Sequence, residues 1–114
     1  SIPNSLFYNC HTLADVTMGD TITSIGTYAF SNCRCLRGLV MPASLTSIGD
    51  NAFAYCEAVK TYDFSKCTSV PTLSGTRVFH KNASDVEFLV PPALYDEWIA
   101  ATNWSTLASK IVAV

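Results

Sequence analysis

Charged side chains are scarce in this sequence, and no stretch of it is rich in basic residues. Only 14% of the 114 residues are charged and the net charge is −2, whereas roughly 25% of a typical soluble domain is charged. A protein that binds nucleic acid needs a basic patch to neutralise phosphates, so we expect no nucleic-acid partner. Serine and threonine, with twelve residues each, must supply much of the polar surface instead.

Long apolar runs are also missing. No stretch approaches the roughly 18 consecutive apolar residues that a membrane-spanning helix requires, so we expect no membrane span. The sequence starts at Ser1 without the basic and apolar regions of a signal peptide. We therefore interpret it as an excised fragment whose targeting segment lies upstream.

Residue patterns typical of catalysis or metal binding are absent as well. The two histidines, His11 and His80, are far apart in the sequence, and the five cysteines include no pairs spaced for a zinc site. We therefore expect no enzyme activity, no cofactor and no metal. Because five is an odd number, at least one thiol lacks an intrachain partner, and we expect Cys35 and Cys67 to be the more reactive ones.

What the sequence does contain is a repeat of 23 residues. Its members fall into apolar columns: Phe7, Phe30 and Phe53; Cys10, Cys33 and Cys56; Ile2, Ile25 and Ile48; Leu13, Leu36 and Val59; Val16, Leu39 and Tyr62; Met18, Met41 and Phe64. One such coil cannot bury its own apolar side chains, but stacked coils can, because each column then becomes a continuous ridge. The repeat therefore predicts a solenoid in which the cysteine column consists of small core residues.

Each coil has a predicted internal structure. The alternation of Val16 and Met18 predicts a short strand, and equivalent strands at 39–41 and 62–64 would pair with it in a parallel sheet about 4.8 Å apart. Gly26 and Gly49 predict a turn. The residues that follow, 27–33, are expected to form one helical turn or a tight loop.

The fourth coil departs from the pattern. Val70 falls in the column of Ile48, Pro71 replaces the glycine, and about three residues are inserted near positions 73–77. The register returns after Phe79, and Asn82 takes the position of the cysteine column. We therefore assign residues 1–91 to about four coils, of which the first is truncated and the last carries the insertion.

Residues 92–114 are interpreted as a cap that belongs to the same domain. Pro92 can open a helix, since its missing N–H is not needed there, and we expect this helix to end near Asn103. Trp98 and Trp104 would cover the last coil, which a solenoid must shield from water. Residues 111–114 are expected to be an extended tail.

The motif Ser-Ile-Gly-x-x-Ala-Phe-x-x-Cys, present at Ser24–Cys33 and Ser47–Cys56, resembles the BspA-type leucine-rich repeats of bacterial surface and secreted proteins. The resemblance covers residues 1 to about 91 and predicts an α/β leucine-rich repeat solenoid. It implies a non-catalytic interaction or adhesion module on the cell surface or outside the cell. Its implied partner is a protein, such as a host matrix or cell-surface protein.

Two other functions remain open at this stage. The coils could be a structural spacer that displays an upstream domain. They could also form a carbohydrate-binding end domain, which would need exposed aromatic side chains on one face. The candidates are Tyr8, Tyr28, Tyr55 and Tyr62, of which Tyr62 occupies a core column.

The predicted partner-binding face follows from strand geometry. Side chains alternate across a strand, so the residues between inward positions must point outward. This rule gives one exposed column and its flanks, listed here from the column outward: Thr17, Val40, Asp63 and Leu89; then Asp15 and Glu87, with Gly38 and Thr61; then Arg37 and Lys60. Because the column is chemically mixed, we expect the face to bind weakly by itself, or to be merely solvated.

Overall fold

The structure, a computed structural model that describes all 114 residues, is a stack of short parallel strands with a small helical segment at one end. The helical elements are a 3₁₀ turn at Pro92–Leu94, α1 (Tyr95–Ala100) and a second 3₁₀ helix at Ser105–Lys110. The seven strands are β1 (Ser24–Ile25), β2 (Gly38–Val40), β3 (Ser47–Ile48), β4 (Thr61–Asp63), β5 (Thr72–Leu73), β6 (Glu87–Val90) and β7 (Ile111–Ala113).

The larger sheet contains β2, β4, β6 and β7 in that order, and all of its strands are parallel. Leu39 pairs with Tyr62 and Tyr62 with Phe88, so a column of the repeat lies along the buried inner face. This confirms that the coils stack in sequence order. The tail, which was expected only to be extended, contributes β7 as the last strand of the sheet.

The strand expected at residues 16–18 does not form. A single backbone hydrogen bond, from Arg37 N to Ala14 O (3.4 Å), joins residues 14–18 to the coil that contains β2. Val16 and Met18 are nevertheless half-buried against the core. The apolar period therefore predicts burial correctly here, whereas the hydrogen-bond ladder needs a backbone register that the period does not encode.

A second, smaller sheet was not predicted. It joins β1, β3 and β5 in parallel, and Ile2 adds an isolated parallel bridge to Ile25. Its pairing corrects the assignment of Val70, because Leu73 is the residue that pairs with Ile48. The step from Ile48 to Leu73 is thus 25 residues, so most of the insertion precedes β5 instead of following it.

Gly26 and Gly49 begin turns, since Ala29 N donates to Gly26 O and Ala52 N donates to Gly49 O, both at 3.2 Å. Neither turn requires the conformational freedom of glycine, because no glycine has a positive φ. The requirement is a close approach between coils. A Cβ atom on Gly49 would lie 2.5 Å from the backbone nitrogen of Thr27 in the preceding coil.

Replacing Gly49→Ala is therefore expected to lower the free energy of unfolding by about 1–3 kcal/mol, since the added methyl group must push two backbones apart. Gly19→Ala is the matched control, because no atom lies within 4 Å of the position where its Cβ would be. That change should be neutral or slightly stabilising. Urea denaturation of both variants measures the difference, and equal stabilities would contradict the close-approach explanation.

Phenylalanine rings form a continuous ladder through the core. Phe7 stacks on Phe30, Phe30 on Phe53 and Phe53 on Phe79, with ring centroids 5.1, 5.3 and 5.7 Å apart and interplanar angles of 19°, 3° and 7°. The ladder passes through the insertion in the fourth coil, as the return of the register at Phe79 predicts. Each ring therefore contacts the equivalent ring of the next coil.

The cysteine column bonds each coil to the one before it. Cys33 Sγ donates to Phe7 O at 3.2 Å, and Cys56 Sγ donates to Phe30 O at 3.1 Å. In the fourth coil Asn82 Nδ2 donates to Phe53 O at 2.7 Å. The amide thus replaces the thiol as the donor that satisfies a carbonyl inside the turn.

The cap is anchored by its two tryptophans, both of which are fully buried. Trp104 Nε1 donates to Pro71 O at 2.8 Å, while Trp98 Nε1 is buried without a hydrogen-bond partner. The α-helix ends at Ala100, three residues before the expected end at Asn103, which has a positive φ of 68°.

The opposite end of the stack is open. Phe7, Cys10 and Leu13, the first members of three core columns, are only partly buried. Their equivalents in the second coil, which has a coil on both sides, are fully buried. The two ends of the molecule therefore differ: one is closed by the cap, and the other exposes the edges of the columns.

Candidate functional site

The outer face of the larger sheet carries most of the predicted partner-binding residues. Strand pairing places Val40 beside Asp63 and Asp63 beside Leu89, in one outward row. Val40 is 48% exposed, whereas Asp63 and Leu89 are partly exposed. The row continues to Val112 of β7, which pairs with Leu89. Sequence reasoning missed this residue because the helical cap interrupts the 23-residue period.

Four of the predicted residues line one shallow depression of about 380 Å³. These are Asp15 and Thr17 from the first coil, Val40 from the second and Asp63 from the third. Two carboxylates thus flank a small apolar surface. Asp63 Oδ1 also accepts a hydrogen bond from Ser65 N at 2.8 Å, which orients this carboxylate along the edge of the sheet.

A second cleft, of about 270 Å³, adjoins the depression where residues 16–18 fail to pair with β2. Thr17 and Val40 line both cavities. Its other lining residues include Met18, Asp20 and Lys66. The missing strand therefore leaves an indented surface beside β2 instead of a flat sheet.

The remaining predicted residues lie around this surface. Glu87 is exposed on β6, where it pairs with Thr61 of β4 in the second outward row. Arg37 is exposed just before β2. Lys60 Nζ bonds both carboxylate oxygens of Asp85, at 3.0 and 3.2 Å, and this contact lowers the pKa of Asp85. Lys60 is consequently an ion-paired rim residue.

Histidines and acidic residues are not assembled into a metal-binding group. No three side chains of His, Cys, Asp or Glu lie close enough together to ligate a metal ion. His11 Nε2 is 3.2 Å from Asn32 Nδ2, and His80 packs edge-on against Tyr55. No helix in the structure is both long and apolar enough to cross a membrane.

The thiols divide differently from the prediction. All five cysteines are free, and Cys35 is exposed, as expected. Cys67, expected to be reactive, is instead buried, with Sγ 3.6 Å from Pro42 O. Burial raises the pKa of the Cys67 thiol to about 11, which suppresses the thiolate that reacts. The error arises because Cys67 lies outside the 23-residue column and yet packs in the core.

The comparisons with known proteins point in the same direction as the geometry. A family model described as the BspA type leucine-rich repeat region matches residues 1–93, in six copies. Among curated proteins, none has a sequence that matches the chain significantly.

Proposed function

The chain belongs to the BspA-type leucine-rich repeat family, and from this premise we propose that it is a non-catalytic adhesion module of a cell surface or secreted protein. Leucine-rich repeats are in general protein-interaction modules, and a solenoid of this kind offers an extended face to a partner. The observation that carries the proposal is the indented outer face of the larger sheet, where Asp15, Thr17, Val40 and Asp63 converge on one depression.

The chemistry of this face defines the complementary partner. Asp15 and Asp63 lie on either side of the exposed Val40, and Glu87 adds a third carboxylate on β6. A partner with basic side chains around a small apolar group would complement this arrangement, since opposite potentials steer association and fix its register. An exposed segment of a matrix protein with this charge pattern is the proposed ligand.

The area of the face predicts weak binding by one molecule. Val40, Leu89 and Val112 are separated by Asp63 in the outward row, so the apolar surface is not contiguous. Strong interaction sites generally present a contiguous apolar patch of several hundred Å². We therefore expect useful affinity only when many faces act together, as on a densely covered cell surface.

The test compares soluble and densely immobilised protein for binding to surfaces coated with collagen, laminin or fibronectin. At least one probe should bind the soluble chain weakly, and dense display should raise the apparent affinity by about 10²–10⁴-fold. Charge reversal at both Asp15→Lys and Glu87→Lys should abolish this gain, because it replaces attraction with repulsion.

Glu97→Lys is the matched control for these reversals, since Glu97 is an exposed carboxylate in α1 and does not line the face. Its binding should equal that of the unmodified chain. Circular dichroism confirms that all variants fold. Binding that survives the reversal at both face positions, or that falls equally in the control, would reject the sheet face as the interaction surface.

A further inference from the structure

The turns on the other side of each coil contain residues in the left-handed conformation. They occupy two columns: Ser5, Tyr28 and Asn51 in the first, and Asn9, Asn32, Tyr55 and Lys81 in the second, with φ between 57° and 63°. Asparagine is among the residues that adopt this region most readily, whereas a bulky side chain there is unusual. Tyr28 and Tyr55 are therefore the exceptions within their own columns.

The two tyrosines are costly for the folded state in a second way. Tyr28 is 43% exposed and Tyr55 is 41% exposed, so neither ring recovers the cost of its backbone conformation by complete burial. An unfavourable conformation that packing does not compensate is characteristic of functional sites. This argument directs attention to the turn edge, which lies apart from the sheet face.

Aromatic rings occur along this edge in all four coils. Tyr8, which is 50% exposed, meets Tyr28 edge to face with centroids 6.0 Å apart. Tyr55 meets His80 in the same way at 5.7 Å. The edge therefore presents two aromatic pairs, one formed by the first and second coils and one by the third and fourth.

Planar polar groups adjoin these rings. Asn32 Nδ2 donates to Asn9 Oδ1 at 2.6 Å, and Arg34 Nε donates to Asn32 Oδ1 at 2.7 Å. Arg34 also lies 3.9 Å from the carboxylate of Glu57, so the charges of this pair offset each other. Asn32 and Tyr55 occupy the same column in neighbouring coils, which places the network beside the Tyr55 ring.

We propose that this turn edge binds a neutral oligosaccharide. The C–H faces of pyranose rings stack on aromatic rings, and their hydroxyl groups bond to amide, imidazole and guanidinium groups such as those of Asn32, His11 and Arg34. The balanced charge of Arg34 and Glu57 suits a neutral sugar. A protein partner would instead require a desolvated apolar centre, whereas polar side chains occupy the space beside the tyrosines.

The experiment uses the variants Tyr28→Asn and Tyr55→Asn, alone and together. Asparagine is the residue type already present in both columns, so these variants keep the backbone and remove only the rings. The probes are lactose, maltose and chitobiose, with binding followed by saturation-transfer NMR. At least one probe should bind the unmodified chain, and the double substitution should weaken its binding at least tenfold, while the melting temperature stays the same or rises.

Ser5→Asn is the control, since it introduces asparagine into the first column without removing a ring; its sugar binding should match that of the unmodified chain. The proposal is overturned if no probe binds, or if the double variant binds as the unmodified chain does. Loss of binding to the matrix-protein surfaces in the Asn variants, without sugar binding by the unmodified chain, would instead identify the edge as a protein contact. A fall in melting temperature would refute the premise that the tyrosines are costly to the fold.

Discussion

Deletion of residues 92–114 is expected to leave the remaining coils unable to fold as a soluble monomer. The deleted segment contains Trp98 and Trp104, both fully buried, and β7, which pairs with β6. Each tryptophan buries on the order of 200 Å², which corresponds to roughly 5 kcal/mol as an upper bound. Because small domains have total stabilities of only about 5–15 kcal/mol, the cap accounts for a large part of the whole.

Light scattering and a circular-dichroism melt of the truncated chain measure this effect. We expect aggregation, or the loss of a cooperative transition, because the inner side chains of β6 and Phe79 would face water. A truncated chain that remains monomeric with an unchanged melting temperature would show that the cap does not stabilise the coils.

Two single substitutions separate the effects of the tryptophans. Trp104→Phe removes the donor that satisfies Pro71 O, whereas Trp98→Phe removes an N–H that has no partner. An unsatisfied buried polar group costs about 1–3 kcal/mol. Trp104→Phe should therefore be the more destabilising change by roughly that amount, and the reverse order would contradict the hydrogen-bond assignment.

Alkaline pH is expected to unfold the protein through its buried thiols. Burial raises the pKa of Cys33 and Cys67 to about 11 and that of Cys56 to about 12, whereas an unfolded cysteine has a pKa of roughly 8.5. Above pH of about 9 the unfolded chain loses protons that the folded chain keeps. Stability is therefore fully present below this pH and falls, by about 1.4 kcal/mol per pH unit for each thiol, until the folded thiols ionise.

Tyr62 reinforces this dependence, because burial also raises its pKa well above the ordinary value. Urea denaturation in reducing buffer between pH 7 and 11 measures the slope. The control carries Cys33→Ser, Cys56→Ser and Cys67→Ser; its hydroxyl groups can still donate to backbone carbonyls but do not ionise in this range. The control should be less stable at neutral pH and show a shallower slope. Parallel curves would disprove the contribution of the thiols.

The sequence predicts the core well because burial follows the period directly. The columns through Phe30 and Leu39 are buried as expected, and Asn82 replaces the thiol donor. The smaller sheet was missed because β1 and β3 are two-residue strands, too short to show an alternation of polar and apolar residues. The strand at 16–18 fails for the complementary reason, since alternation records which side chains are inward and not whether the backbone pairs.

The candidate site could be predicted only in part. Val40, Asp63 and Leu89 follow from the period, and the structure places them in one row. Val112 joins that row through β7, whose register depends on how the cap folds back. The depression and the adjoining cleft arise from the missing strand pairing, which no residue pattern encodes. Left-handed backbone at Tyr28 and Tyr55 is equally invisible in the sequence.

The unlike ends of the stack limit how copies of this chain can assemble. A head-to-tail contact must join two different surfaces, and its repetition produces a filament or a ring. Here the surface that would serve as the tail is covered by Trp98, Trp104 and β7, so each copy has one adhesive end. Contact through that end alone is self-complementary and is complete after two molecules. The cap therefore acts as a chain terminator that protects a repeat protein against runaway polymerisation.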